Sequence, residues 1–302
     1  MNSGLGKMKI THQILKQRQG LPLEAKIIFS QKRIREWHDH WLGQTYIAFS
    51  GGKDSTVLLD LVRELYPETP AVFCDTGLEY PEIKDFVKTI PNVIWVKPKL
   101  TFKQVLDKYG YPIISKNIAR MLHELQTRPK DSLTYILRKT GINSKGEFHT
   151  TSKLPQKYEY LENASFKISD ECCAILKKNP SKEYEKISKR HPYTGVMAAD
   201  SRMRGAEYLK HGCNAFNNKR PISTPLGIWL EQDIWDYIKL KQIPYSKIYD
   251  MGHLRTGCMF GVHLESSPNR FEKMKEQHPK IYDYCINKLE LNKILDILKI
   301  KY

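Results

Sequence analysis

The 302-residue chain predicts an α/β fold, an open, twisted, mainly parallel sheet with helices on both faces. Three observations predict it. From Thr45 onward, short β-type apolar runs alternate with helix-patterned ones at the spacing of right-handed βαβ crossovers. A glycine-rich turn, Ser50-Gly51-Gly52-Lys53-Asp54-Ser55, separates the first such strand from its helix. Helix-patterned segments precede and follow the alternating region.

Within residues 9–42, Ile27, Ile28, Ile34 and Trp37 recur at helical spacing among basic residues, and the pattern stops at Gly43. This predicts an N-terminal helical segment over 1–43. An α/β domain over 44–250 follows. Its strands at 45–49, 71–75 and 93–97 lead into helices at 54–66, 80–90 and 101–110. Residues 128–192 are rich in Lys, Ser, Asn and Pro with few long apolar runs, which predicts a loop-rich insertion. The α/β pattern returns over 193–212, and Leu230, Ile234, Tyr237 and Ile238 mark a helix within 225–243. Residues 251–302 read as a cysteine-containing loop and a basic helical tail. No internal repeat or low-complexity tract interrupts the order.

Forty-nine Lys and Arg against thirty-three Asp and Glu leave a net charge of +16. Such a surface attracts polyanions, with nucleic acid and nucleotide phosphates the natural candidates; a solvated basic surface with no dedicated partner is the plainer alternative. No apolar run has the length of a membrane span or signal-peptide core, so the expectation is a cytoplasmic protein without a membrane partner. Six cysteines in a reducing compartment point to thiolate or metal chemistry rather than a disulfide framework.

The glycine turn is where chemistry concentrates. Two residues without Cβ let backbone N–H groups converge, a helix N-terminus follows at once, and Lys53 adds a full charge. The pattern G-x-x-x-x-G-K-[ST] of a Walker loop is absent, so this shorter loop is expected to grip a different phosphate group. A tight strand-to-helix turn with a capping Ser or Asp is the structural alternative.

"SGGKDS" at 50–55 resembles the PP-loop of N-type ATP pyrophosphatases, which cleave ATP between the α- and β-phosphates. "VFCDTGLEYPE" (72–82), "TGVMAADSRMR" (194–204) and "IYDMGHLRTGC" (248–258) resemble, in order, segments of the phosphoadenosine phosphosulfate (PAPS) reductase family, whose fold is adenine nucleotide alpha hydrolase-like. The resemblance runs from about Leu21 to the C-terminus. It implies that Ser50, Gly51, Gly52, Lys53 and Ser55 hold the pyrophosphate end of ATP and that Asp54 organises Mg²⁺. It further implies that Asp75, Thr76 and Gly77 lie near the nucleotide, and that Arg202 and Arg204 approach phosphate. By chemistry alone, either arginine serves equally in a surface ion pair.

True PAPS reductases attack the sulfonucleotide with a cysteine near the C-terminus, whereas this sequence has none after Cys285. Cys172 and Cys173, with Cys258 85 residues on from Cys173, resemble the iron–sulfur site of adenylyl-sulfate reductases and thiolating enzymes. Gly261 stands where the second cysteine of a Cys-x-x-Cys pair would fall. Two expectations follow. A 4Fe–4S cluster is held by Cys172, Cys173 and Cys258, with one iron open or with Cys285 or Cys213 as fourth ligand; or the cluster is lost and these are packing thiols. Lys177 and Lys178 follow the pair, Cys74 reads as core, and His191, His253 and His263 lie near the motifs. The reaction expected is adenylation of a substrate oxygen and its replacement by sulfur, on tRNA or DNA, releasing AMP and pyrophosphate. A cysteine desulfurase as sulfur donor and a homodimer fit that reading. Reduction of PAPS or adenylyl sulfate to sulfite, and a non-catalytic ATP-sensing subunit, are the alternatives.

Overall fold

A computed structural model describes residues 10–256, 259–260, 270–300 and 302. In chain order its elements are α1 (His12–Gln19), α2 (Leu23–His40), β1 (Thr45–Ala48), α3 (Lys53–Leu65), β2 (Ala71–Cys74), α4 (Pro81–Thr89) and β3 (Val93–Val96). They continue with α5 (Phe102–Tyr109), α6 (Lys116–Thr127), α7 (Leu133–Thr140), α8 (Asn179–Ser188), β4 (His191–Thr194), α9 (Arg202–His211), β5 (Asn214–Ala215) and β6 (Ile222–Ser223). The last are α10 (Glu231–Lys241), α11 (Arg270–Gln277), α12 (Pro279–Asp283) and α13 (Leu291–Ile297). Two compact units result. The first comprises Met1–Asp75, Tyr80–Val96 and Ser181–Thr256, and the second Thr76–Glu79, Lys97–Pro180 and Gly257–Tyr302.

The first unit holds the sheet. Its order is β3-β2-β1-β4-β6-β5, parallel throughout except for β5. Ile47 of β1 pairs with Ala71 on one side and Tyr193 on the other, so the strand order reverses across β1 and β4. In an open α/β sheet the crevice at such a reversal, beyond the strands' carboxyl ends, is where ligands bind. Tyr46 and Ile47 are buried because parallel strands are covered on both faces, and Val57, Leu58, Leu61 and Val62 of α3 cover one of them. Helix α2 buries Ile34 and Trp37, while Ser30 donates to the Pro225 carbonyl (2.9 Å) and accepts from the Trp229 indole (2.8 Å). Lys26 is also buried there, its ammonium 2.6 Å from Asp233 at the start of α10.

In the second unit, α6 buries Ile118, Met121, Leu122 and Leu125. The Tyr111 amide donates to the Lys167 carbonyl at 2.9 Å, and the Ser169 amide to the Tyr111 carbonyl at 3.1 Å, tying the segment after α5 to the one before Cys172. The expected loop-rich insertion needs correction. Residues 128–192 contain α7, all of α8 and a π-helical turn at Ala174–Lys178, and β4 begins inside the stretch at His191. Helix α7 is made by its caps, the Ser132 hydroxyl accepting from the Tyr135 amide and Gly141 closing the end at φ +83°, and it buries no residue. Leu133, Ile136 and Leu137 recur at helical spacing in it, but over only eight residues, too short a run to stand out from the polar stretch around it.

Candidate functional site

The loop from Ser50 to Ser55 stands at the carboxyl end of β1, beside the strand-order reversal. Gly51 has φ +71°, and a Cβ there would lie 2.8 Å from a Val87 methyl and 2.9 Å from an Ile83 methyl of α4. Only glycine meets both demands. Gly51→Ala is expected to cost about 2–5 kcal/mol, the sum of the left-handed backbone and the displaced α4 side chains. Urea unfolding measures it, and a loss below about 1 kcal/mol would contradict this packing. At Gly52 a Cβ would sit 2.7 Å from the Thr256 hydroxyl oxygen.

Gly52 also occupies the N-cap of α3, where it provides no side-chain cap to the helix amides. The serines instead brace the loop from within. Ser55 Oγ donates to the Gly52 carbonyl (2.8 Å) and accepts from the Ser50 amide (3.2 Å), which makes Ser50 Oγ the donor in the 3.1 Å contact between the hydroxyls. The Lys53 amide donates to the Tyr249 hydroxyl at 2.8 Å. That amide is one of the donors an anionic oxygen would use at this helix end.

Charge is arranged around Lys53, which is only 4 % exposed. Its ammonium lies 3.1 Å from Asp54 and 3.4 Å from Glu231, and 5.8 Å from the centre of the Tyr249 ring. Burial opposes the lysine's charge, but Asp54, Tyr249 and Glu231 outweigh it and hold its pKa above the ordinary lysine value. Burial raises the Asp54 carboxyl above the usual carboxylate range, with Asp200 and Glu231 adding to the rise and Lys53 opposing it. One cation thus stands amid carboxylates at the N-terminus of α3. The chemistry this suits is capture of a polyphosphate, whose bound cation relieves the carboxylate crowding.

Gly195, immediately after β4, closes the wall of the site: a Cβ there would be 3.0 Å from the Asp54 carbonyl. Arg202 and Arg204 begin α9 and are exposed, and Arg204 forms an ion pair with Asp200, the carboxylate that acts on Asp54. Asp75 directly follows β2, with its carboxylate 2.9 Å from Lys84.

The second unit carries the thiols. Thr76 donates to Glu79 through its amide (3.0 Å) and its hydroxyl (2.7 Å), with Gly77 at φ +77° inside that turn. Glu79 lies 3.9 Å from Lys177. Cys173 is held down to about 5, first by a hydrogen bond from Cys172 and then by the charges of Lys116 and Lys177, against the opposing effect of burial. In protein free of metal, Cys173 is therefore expected to alkylate with iodoacetamide at a rate that is flat from pH 6 to 8 and falls as the thiolate is protonated through about 5. An ordinary thiol climbs about tenfold per pH unit over that range, and such a climb at Cys173, read by peptide mass spectrometry, would refute the assignment.

Cys285 is fully buried in the π-helical turn Tyr284–Lys288, and Cys213 of the first unit is buried with its thiol pushed up to about 12 by burial. Cys74 ends β2 and is half-buried. Cys258, Gly261 and His263 lie outside the described residues. Among the described residues no group of three or more His, Cys, Asp or Glu is arranged to hold a metal ion. The adjacent thiols Cys172 and Cys173 suit two ligand positions of an iron–sulfur cluster and supply no more than that. A magnesium ion needs only one or two carboxylates when phosphates provide the rest, and Asp54 is placed to be one. Tyr249, Thr256, Glu231 and Gly195 join the loop from far along the chain, which no local pattern announces.

The phosphoadenosine phosphosulfate reductase domain family matches residues 44–125 and 92–263, together most of the chain. The chain belongs to this family. Its fold class is the one expected from its strand and helix alternation. An uncharacterised protein of Methanocaldococcus jannaschii is 26 % identical over 259 residues, 83 % of this chain and 47 % of that protein, so the chain spans about half its length. The adenosine 5'-phosphosulfate reductase of Staphylococcus epidermidis is 23 % identical over 235 residues, 72 % of each chain. Among solved structures, the PAPS reductase of Candida auris in its phosphate complex aligns with TM-score 0.46 at 16 % identity, covering 84 % of this chain and 98 % of that one. The U34-tRNA thiolase NcsA of Methanococcus maripaludis with its [4Fe-4S] cluster aligns with TM-score 0.39 at 15 % identity, covering 90 % and 80 % respectively. No helix among the described residues is long and apolar enough to cross a membrane.

Proposed function

We propose that the protein adenylates an oxygen of a nucleic-acid acceptor, tRNA or DNA, with ATP and then replaces that oxygen with sulfur. The observation that carries this reading is the buried Lys53 ammonium at a helix N-terminus whose N-cap is a bare glycine, an arrangement suited to the β- and γ-phosphates of ATP. Lys53 and the loop amides hold the pyrophosphate as charge builds on it. Bound Mg²⁺ would neutralise part of that charge. Asp54 is the carboxylate for the ion, and Glu231 keeps the lysine protonated and aimed. The acceptor oxygen attacks the α-phosphorus and the bond to the bridging oxygen breaks. Pyrophosphate departs, and a sulfur nucleophile from a separate donor then displaces AMP from the activated carbon. Cys172 and Cys173 would hold two corners of a cluster, which when bound can carry sulfide at an open iron. The charge of +16 supports a polyanionic acceptor.

The test counts products. Full-length protein with ATP, sulfide and bulk tRNA or duplex DNA is expected to release one pyrophosphate per sulfur incorporated, and release without incorporation would sink the transfer step. A second reading is favoured by the Cys173 thiolate. That sulfur is competent to attack the sulfur of an adenylyl sulfate, expelling AMP and leaving a thiosulfonate from which an external thiol releases sulfite. Sulfite formed from adenylyl sulfate and a dithiol in the absence of ATP would select this reading over the first.

A further inference from the structure

A cavity of about 200 Å³ opens in the first unit between α9 and the β5–β6 pair. Val196, Ala215 and Ile222 give it apolar walls, and Arg204, Glu207 and Asn218 stand at its polar edge. Its position ties it to the loop. Val196 follows Gly195, the residue packed on the Asp54 carbonyl, so the cavity begins one residue from the wall of the phosphate site, at the carboxyl ends of β4 and β6.

Size and chemistry narrow the ligand. A cavity of roughly 150 Å³ accepts one benzene ring, so this one has room for a single heterocyclic base. Apolar walls suit the faces of a flat ring. The Asn218 side chain makes no hydrogen bond within the described residues, which leaves its amide, a donor beside an acceptor, to meet a ring edge. Arg204 is fixed by Asp200, so its guanidinium plane is steadied where it can stack on a base.

We propose that this cavity takes one nucleobase of the acceptor, read at its edge by the Asn218 amide while the acceptor is activated at the neighbouring loop. The proposal rests on the adenylation reading for its substrate class. A base that undergoes chemistry on an enzyme has to leave its stack, and a pocket for one ring beside the phosphate site is what such a base, or a neighbour that anchors it, would enter.

The experiment uses full-length protein and a short single-stranded oligonucleotide bearing 2-aminopurine, with fluorescence as the readout. Val196→Phe fills the cavity from a half-exposed position, and Asn218→Ala removes the amide without a buried change. Val196→Phe is expected to weaken oligonucleotide binding by about tenfold or more and Asn218→Ala by roughly threefold to tenfold, with ATP–pyrophosphate exchange unchanged in both. Equal binding by wild type and both variants overturns the site. Loss of ATP affinity matching the loss of oligonucleotide assigns the ring to the adenine of ATP and overturns the acceptor assignment. If wild type shows no pyrophosphate exchange yet oligonucleotide binding still depends on Val196 and Asn218, the base site stands and the adenylation reading falls.

Discussion

Lys53→Ala will abolish most ATP turnover, lowering pyrophosphate release by about 10²–10³-fold, the usual consequence of removing a preorganised charge aimed at developing negative charge. The lysine is 4 % exposed and sits between Asp54 and Glu231, so water replaces neither its charge nor its position well. Without it, carboxylates face the phosphate site unopposed, and Asp54, already raised by burial, rises further. Lys53→Arg is expected to fail as well, because a planar fork does not fit a buried niche built for a compact ammonium. Pyrophosphate release checks this, with circular dichroism confirming the fold. A loss smaller than about tenfold would remove Lys53 from the role assigned to it.

Asp233→Ala will be among the most destabilising single substitutions in the first unit. Lys26 is 2 % exposed and its ammonium lies 2.6 Å from Asp233, whose same oxygen accepts the Leu230 amide at 2.6 Å at the start of α10. Deleting the carboxylate strands a buried cation and uncaps the helix, for an expected loss of about 3–5 kcal/mol. Lys26→Met in the same chain is expected to recover more than half of that loss, because the stranded charge goes with its partner. Urea denaturation of the single and double variants measures both quantities. A single-variant loss under about 1 kcal/mol, or no recovery in the double, would show that the pair does not stabilise the α2–α10 contact.

The α/β alternation was legible because β1 and β2 are buried on both faces and read as short apolar runs, the edge strand β3 keeps the same Val- and Ile-rich composition, and α3, α4 and α5 follow the three strands at helical period. Each strand ended within a residue of its expected limit. Helix α7 was missed because its apolar spacing, Leu133, Ile136 and Leu137, covers only eight residues inside a stretch rich in Lys, Ser and Asn, and its limits are set by the Ser132 cap and Gly141.

The glycine loop was likewise written locally, since Gly51, Gly52, Lys53 and the serines are neighbours in sequence and the serines' hydrogen bonds stay within the loop. Tyr249, which accepts from the Lys53 amide, is 196 residues away along the chain. The same holds for Glu231 and Thr256, ordinary residue types whose place beside the loop depends on how α10 and the segment after it return to the sheet. The pairing of Arg204 with Asp200 was one of two chemically equal options until the fold placed that carboxylate in the short turn before α9, four residues back from the arginine.

The sequence by itself determined the fold class, the loop and its lysine, and the presence of adjacent thiols, because each is encoded by residues within about one helical turn or one strand of each other. Tertiary structure alone decided that Lys53 is buried amid Asp54 and Glu231, that the Cys173 thiol is held low by Cys172, Lys116 and Lys177, and that a cavity of about 200 Å³ opens between α9 and the β5–β6 pair. Proton affinity and cavity shape depend on burial and on charges brought in from distant segments, and those are set by packing rather than by the local order of residues.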